Sequence, residues 1–428
     1  MYFFNSRWTF KTPSTKDPIA GGVIAASAIS PVNLQKRKFD EFPYLRRRVL
    51  DPQLYMATID PAIDQKTVAN LAAYPWFHGG EVPKYKSDEY ASRTQWKAAH
   101  GPKLVSKWTR MVPSGASTIR NAARAAVKFQ LELGCHATIL PGPLTAMDDQ
   151  TLQSEVEWMD AGLKACLELR VERPVFATIA ISEPLLHVRA FGNPLVHSLA
   201  NHVTAREELA GAYIVFEQSA NGMYFWNSKD PLMSLLVLVD DISRGAKKKV
   251  AVNYVGTFGI VTEALGAESW ASGYYLVQRR LSLTAKIGRA HPRFYSLALA
   301  GDIGLRDDVD RVRGTRVGDE LISATDASAV LRSALAKGKK VEQVPEWQYK
   351  QSNCSAAQQH YLELAARVGA ELEKMSPRAR LDWVTKWLEG AAGMAHFLKQ
   401  KNLVSSSDVN HQQVWLDVFN EWRSYAKQ

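Results

Sequence analysis

The chain has 428 residues, 46% of them apolar and 22% charged, a composition that excludes a disordered or fibrous protein and allows a large core in one or two domains. Its formal charge of +10 favours anionic partners such as nucleic acid, nucleotides or an acidic protein. Cys135, Cys166 and Cys354 lie far apart with no C-x-x-C pair, which argues against a zinc ribbon or a disulfide framework and suits a reducing compartment.

The opening residues MYFFNSRWTFKTPS lack a charged region followed by an apolar core, so no signal peptide is expected. The longest apolar run, 232–239, is too short to span a bilayer. No membrane contact is expected, and the location is read as cytoplasmic.

Residues 22–27 (GVIAAS) and 54–59 (LYMATI) are the first two expected strands. Residues 73–115 follow, rich in aromatic and basic side chains and weakly periodic, with Trp76, Trp96 and Trp108 among them. This stretch is expected as an irregular insertion that covers or shapes a site. Residues 117–133 have alanines and leucines at helical spacing and Gly134 as a stop.

Further strands are expected at 137–140, 175–181, 212–216, 250–254, 269–272 and 294–299. All are continuously apolar, as strands buried on both faces should be. Helices are expected at 148–169 and 230–244 between them. In the tail, Asn353, Ser376-Pro377 and Ser407-Asp408 mark three helix starts, and the last helix carries Trp415, Phe419 and Trp422 on one face.

Eight strands alternating with helices predict a (β/α)8 TIM-like barrel over residues 1–339. It has a long insertion after strand 2 (73–115) and a C-terminal helical appendage of three helices over 340–428.

In such barrels the chemistry sits at the C-terminal ends of the strands. That rule selects Asp60, Glu183 and Glu217 as candidate catalytic carboxylates. A pair on adjacent strands can divide acid and base work, or hold a divalent cation through oxygen ligands; helix capping is the structural alternative. Asn253, Gly256, Gly273, Arg279 and Arg280 are the candidate ligand-binding residues. Glycine-bearing turns with arginine nearby can cradle a phosphate, although tight turns require glycine in any barrel. No H-x-x-x-H or H-E-x-x-H pair, Walker A motif or complete dinucleotide fingerprint is present.

The expected function is an enzyme acting on a phosphate-bearing ligand, a nucleotide or nucleic acid, by base or glycosidic-bond chemistry. The alternative is a non-catalytic barrel that meets protein partners through the aromatic insertion and the last helix.

Overall fold

The computed structural model describes residues 1–6, 19–61, 64–78, 95, 99, 105–146, 152–187, 193–218, 226–283, 292–348, 354–405 and 409–426. Its centre is a parallel sheet rolled into a barrel. The barrel strands are β1 (Tyr2–Asn5), β2 (Gly21–Ala25), β3 (Arg48–Asp51), β4 (Thr138–Ile139), β6 (Val175–Ile181), β7 (Gly211–Phe216), β8 (Lys249–Asn253) and β9 (Ser269–Ser272). A short strand β5 (Leu144–Thr145) continues along β6 beyond the Pro141-Gly142-Pro143 break.

The hydrogen-bonded order is β3-β2-β1-β9-β8-β7-β6-β4. The two ends of this path meet where the His136 N–H donates to Arg48 O at 2.9 Å, so the ring is nearly closed. The expected (β/α)8 barrel is therefore the observed fold.

Two barrel strands differ from those read in the sequence. The run 54–59 is a buried 3-10 turn, Leu54–Thr58, and the strand lies before it, at Arg48–Asp51. Pro52 has no N–H to give a ladder, so the strand stops there. Leu54, Tyr55 and Met56 are buried all the same, and a short apolar run does not distinguish a buried turn from a strand. The run 294–299 is not a barrel strand either. Its Arg293–Ser296 portion (β10) pairs antiparallel with Gly301–Gly304 (β11) in a separate hairpin. The eighth barrel strand is instead Tyr2–Asn5, paired in parallel with both β2 and β9.

The main core lies between the strands and the surrounding helices. Close approach there depends on Gly259, where a Cβ would come within 2.5 Å of the Trp270 ring. A second core runs from Phe294 to Val409 and so straddles residue 340. It packs the hairpin against Trp347, Leu398 and their neighbours.

Three tail helices are present, Ser355–Glu373, Pro377–Gln400 and His411–Tyr425. Ser376 caps the second, its side chain accepting from Ala379 N–H. The start markers Asn353, Ser407 and Asp408 lie outside the described residues. No helix among the described residues is long and apolar enough to cross a membrane. All three cysteines are free and buried, and burial pushes the Cys135 and Cys166 thiols up to about 12.

Four of the tryptophans singled out in the sequence are spent inside the chain. Trp76 is fully buried and donates to Pro52 O at 3.1 Å. Trp108 is buried with its ring stacked on Phe77; Trp96 lies outside the described residues. Trp415 and Trp422 are 1% exposed, and Trp415 donates to Trp226 O at 2.7 Å. The last helix packs on the Lys229–Asp240 helix. Trp76, Trp108, Trp415 and Trp422 are thus core residues that present no ring face at the surface.

Two buried histidines tie the tail to the hairpin. His360 bonds Thr325 Oγ1 at 2.7 Å and Tyr295 O at 2.8 Å, and His411 bonds Ala300 O at 3.1 Å. Burial pushes both imidazoles down from 6.5 to about 4. Their folded forms are neutral, so between pH 6.5 and 4 the unfolded chain binds protons that the fold refuses. Stability is full above pH 6.5 and falls below it by up to about 3 kcal/mol per histidine. Thermal melts at pH 7.5 and 4.5 should show a clear drop in the acidic sample, reduced in His360→Gln; an unchanged midpoint would contradict this assignment.

Candidate active site

Alternate residues on each barrel strand face the axis. At the C-terminal end this places Asn5, Asp51 and Asn253 in one layer, which the hydroxyl of Tyr213 reaches from the middle of β7; all four are 2% exposed or less. Asp51 Oδ2 accepts from the Tyr55 hydroxyl at 2.6 Å and the Tyr213 hydroxyl at 2.8 Å. The Asn253 amide donates to the Tyr213 oxygen, and Asn253 Oδ1 accepts from Asn5 Nδ2 at 2.7 Å.

Gln53 joins the same layer. Its N–H donates to Asp51 Oδ1 at 3.2 Å and its amide to the Tyr254 hydroxyl at 2.8 Å. A buried carboxyl needs such donors, because desolvation without them costs several kcal/mol. Burial, with the Asp51 carboxyl beside them, pushes the Tyr55 and Tyr213 hydroxyls well above 10. Both therefore stay protonated as donors.

The backbone at this mouth is strained. Gln53 (φ 54°) and Tyr254 (φ 59°) are non-glycine residues in the left-handed region, at the ends of β3 and β8, and their side chains bond each other. Each such residue costs of order 1–3 kcal/mol, and such strain concentrates at functional sites.

A second cluster stands on the ends of β6 and β7. Ile181 pairs with Phe216 in the ladder, so Ser182-Glu183 and Glu217-Gln218 leave the sheet side by side. The Ser182 hydroxyl donates to Glu217 Oε2 at 2.7 Å. Glu183 and Glu217 are 6% and 9% exposed. Half-exposed His187 approaches Glu183 to 3.7 Å.

The segment after β9 lies against this cluster: Gln218 N–H donates to Leu281 O at 2.8 Å. That contact brings in Arg280, which is buried; burial lowers its pKa, and the Glu183 charge opposes that shift. Gln218 also donates to Tyr254 O at 3.0 Å, linking the two clusters.

Glu183, Glu217 and Arg280 stand together at the ends of β6, β7 and the segment after β9, while Asn253 belongs to the Asp51 layer. Asp60 is not a strand-end residue: the acid at the end of β3 is Asp51, and Asp60 is half-buried beyond the 3-10 turn. Sequence reasoning missed Asp51, Tyr213 and Gln53. The signal for Asp51 was the proline directly after it.

Gly256 takes φ +58° at the turn after β8 and is buried. Gly273 has Gln278 against it, where a Cβ would meet Oε1 at 2.4 Å. Both glycines are required by close packing or by backbone angle. Arg279 has a different partner from the one expected. Its guanidinium is 3% exposed, donates to Asp302 Oδ2 and Gly273 O, and lies 4.2 Å from the Tyr361 ring centre. It clamps the turn after β9 to the hairpin and the tail helix.

Among the described residues, no group of three or more His, Cys, Asp or Glu is placed to hold a metal ion. No protein-family model matches the chain, and no curated protein or solved structure matches it. The reading of the mouth therefore rests on its geometry.

If Arg279 is a clamp, Arg279→Met leaves Asp302 buried without its cation and should cost about 3–5 kcal/mol in urea unfolding. An unchanged unfolding midpoint would return Arg279 to the pool of ligand-binding residues.

Proposed function

We propose that this chain is a barrel enzyme that uses Glu183 and Glu217 as an acid–base pair on a phosphate-bearing ligand, a nucleotide or nucleic acid. The observation that carries the reading is the placement of both carboxylates, nearly buried, on adjacent strand ends at the barrel mouth. The Ser182 hydroxyl fixes one of them. Burial of ionisable groups at a mouth serves proton transfer, because carboxylates held in different surroundings can act as acid and base.

Support for the phosphate comes from charge and position. The chain carries +10. Arg280 lies beside Glu183 in the segment after β9. Counted round the ring, β8 and β9 are the seventh and eighth barrel strands, and the loops after these two hold phosphate in many barrels. The scaffold alternative draws no support from Trp76, Trp108, Trp415 or Trp422, which are buried.

The test uses thermal melts with AMP, ATP and a single-stranded RNA oligonucleotide, followed by product analysis for any probe that binds. A probe that binds only the folded chain raises the midpoint by mass action. The expected outcome is a saturable rise with at least one probe, and turnover lowered at least about 100-fold in Glu183→Gln and Glu217→Gln with binding kept. No rise with any probe, or full turnover in both variants, would overturn the proposal.

A further inference from the structure

Outside the barrel, two helices carry a polar groove that the mouth does not use. The Ala116–Glu132 helix precedes β4 and the Gln153–Glu168 helix precedes β6, and the two pack side by side. Ala161 and Ala165, both buried and small, form the floor of the groove. The longer side chains above them enclose about 190 Å³. A bound water needs about 10–15 Å³, so the space is far larger than a single ordered water requires.

The lining is cationic. Ser117, Arg120, Asn121 and Arg124 come from the first helix, Lys164 and Glu168 from the second. Three cations face one carboxylate, which leaves a net charge of +2. The Arg124–Glu168 contact is 3.5 Å between two half-exposed side chains, and such pairs are weak. Arg120 gives only its Nε–H, to Ala116 O at 3.3 Å. Among the described residues, its two terminal nitrogens and Lys164 Nζ meet no protein acceptor. The Ser117 hydroxyl and the Asn121 amide are likewise open to a ligand, and all four side chains are exposed.

This donor set selects both the anion and its charge. A carboxylate offers two oxygens and one negative charge. A phosphate dianion offers more oxygens and two charges, and guanidinium groups bind it through paired N–H donors. Arg120 and Arg124 stand one turn apart, about 6 Å along the helix axis, and Lys164 joins them from the facing helix. Glu168 lies one turn beyond Lys164 and repels a second anion in line with the first. A polynucleotide strand is therefore a poorer match than a single phosphate.

We infer that the groove between these two helices binds one phosphate dianion, free or as a phosphomonoester, held by Arg120, Arg124 and Lys164. The site is separate from the chemistry proposed at the mouth and does not rest on it. Calorimetric titration of the full chain at pH 8 and constant ionic strength tests it with inorganic phosphate, methyl phosphate and dimethyl phosphate. The first two are mainly dianions at this pH, and the diester is a monoanion. At least one dianion should bind saturably, with the diester at least about tenfold weaker. Tighter binding of methyl phosphate than of inorganic phosphate assigns a phosphomonoester; the reverse, or equality, assigns the free ion.

Substitutions fix the location. Arg120→Glu and Lys164→Glu alter exposed side chains and should keep the fold, seen in an unchanged circular dichroism spectrum. Each should weaken the dianion at least about tenfold. Glu168→Gln removes the competing carboxylate from Arg124 and should tighten binding about two- to fivefold. Absent binding of both dianions, a diester that binds equally well, or weaker binding in Glu168→Gln would overturn the inference. So would phosphate binding that survives both charge reversals and falls in Arg280→Met, since that phosphate sits at the mouth.

Discussion

The structure is organised around a carboxyl group that has no access to water. Asp51 sits at the barrel axis with 0% exposure, and it is held by tyrosines from β7 and from the turn after β3. A group of this kind is tolerated only where its donors are fixed in place. Fixing them requires the ring of strands to close. β1, β3, β7 and β8 each supply a member of the layer: Asn5, Asp51, Tyr213 and Asn253. Closure of the barrel and satisfaction of Asp51 are one condition seen from two sides.

That layer divides the barrel interior. Above it, the strand ends carry Ser182, Glu183, Glu217 and Arg280, the groups with chemistry to offer. Below it, the interior is apolar and incompletely filled. Tyr213 belongs to both halves, its hydroxyl bonded to Asp51 and its ring lining a small cavity at the N-terminal end of the barrel. The strained backbone at Gln53 and Tyr254 lies on the upper side, where the two residues brace each other. The tail adds a second core around the β10–β11 hairpin, and Arg279 fastens it to the barrel through Asp302 and Tyr361.

Much of the fold was legible in the sequence because β6, β7, β8 and β9 are buried on both faces, and such strands read as continuous apolar runs. Ser376-Pro377 marked a helix start for an equally local reason. The misreadings were also local. LYMATI is as apolar as a strand but folds as a turn after Pro52, and this moved the strand-end acid from Asp51 to Asp60. YFFN is a strand only through its parallel pairing with β2 and β9, one of them more than 260 residues away. The partners of Arg279 were invisible for the same reason: Asp302 and Tyr361 are brought to it by tertiary packing. Glu183 and Glu217 were legible as strand-end residues because they lie within two residues of the ends of correctly read strands.

The central claim is that Asp51 and Tyr213, 162 residues apart in sequence, share one buried layer that holds the barrel closed. A double-mutant cycle tests it most directly, with Asp51→Asn, Tyr213→Phe and the double variant compared by chemical denaturation. The account expects a coupling energy of about 1–3 kcal/mol between the two changes. Effects that add to within about 0.5 kcal/mol would contradict it, since side chains in one hydrogen-bonded layer cannot be energetically independent.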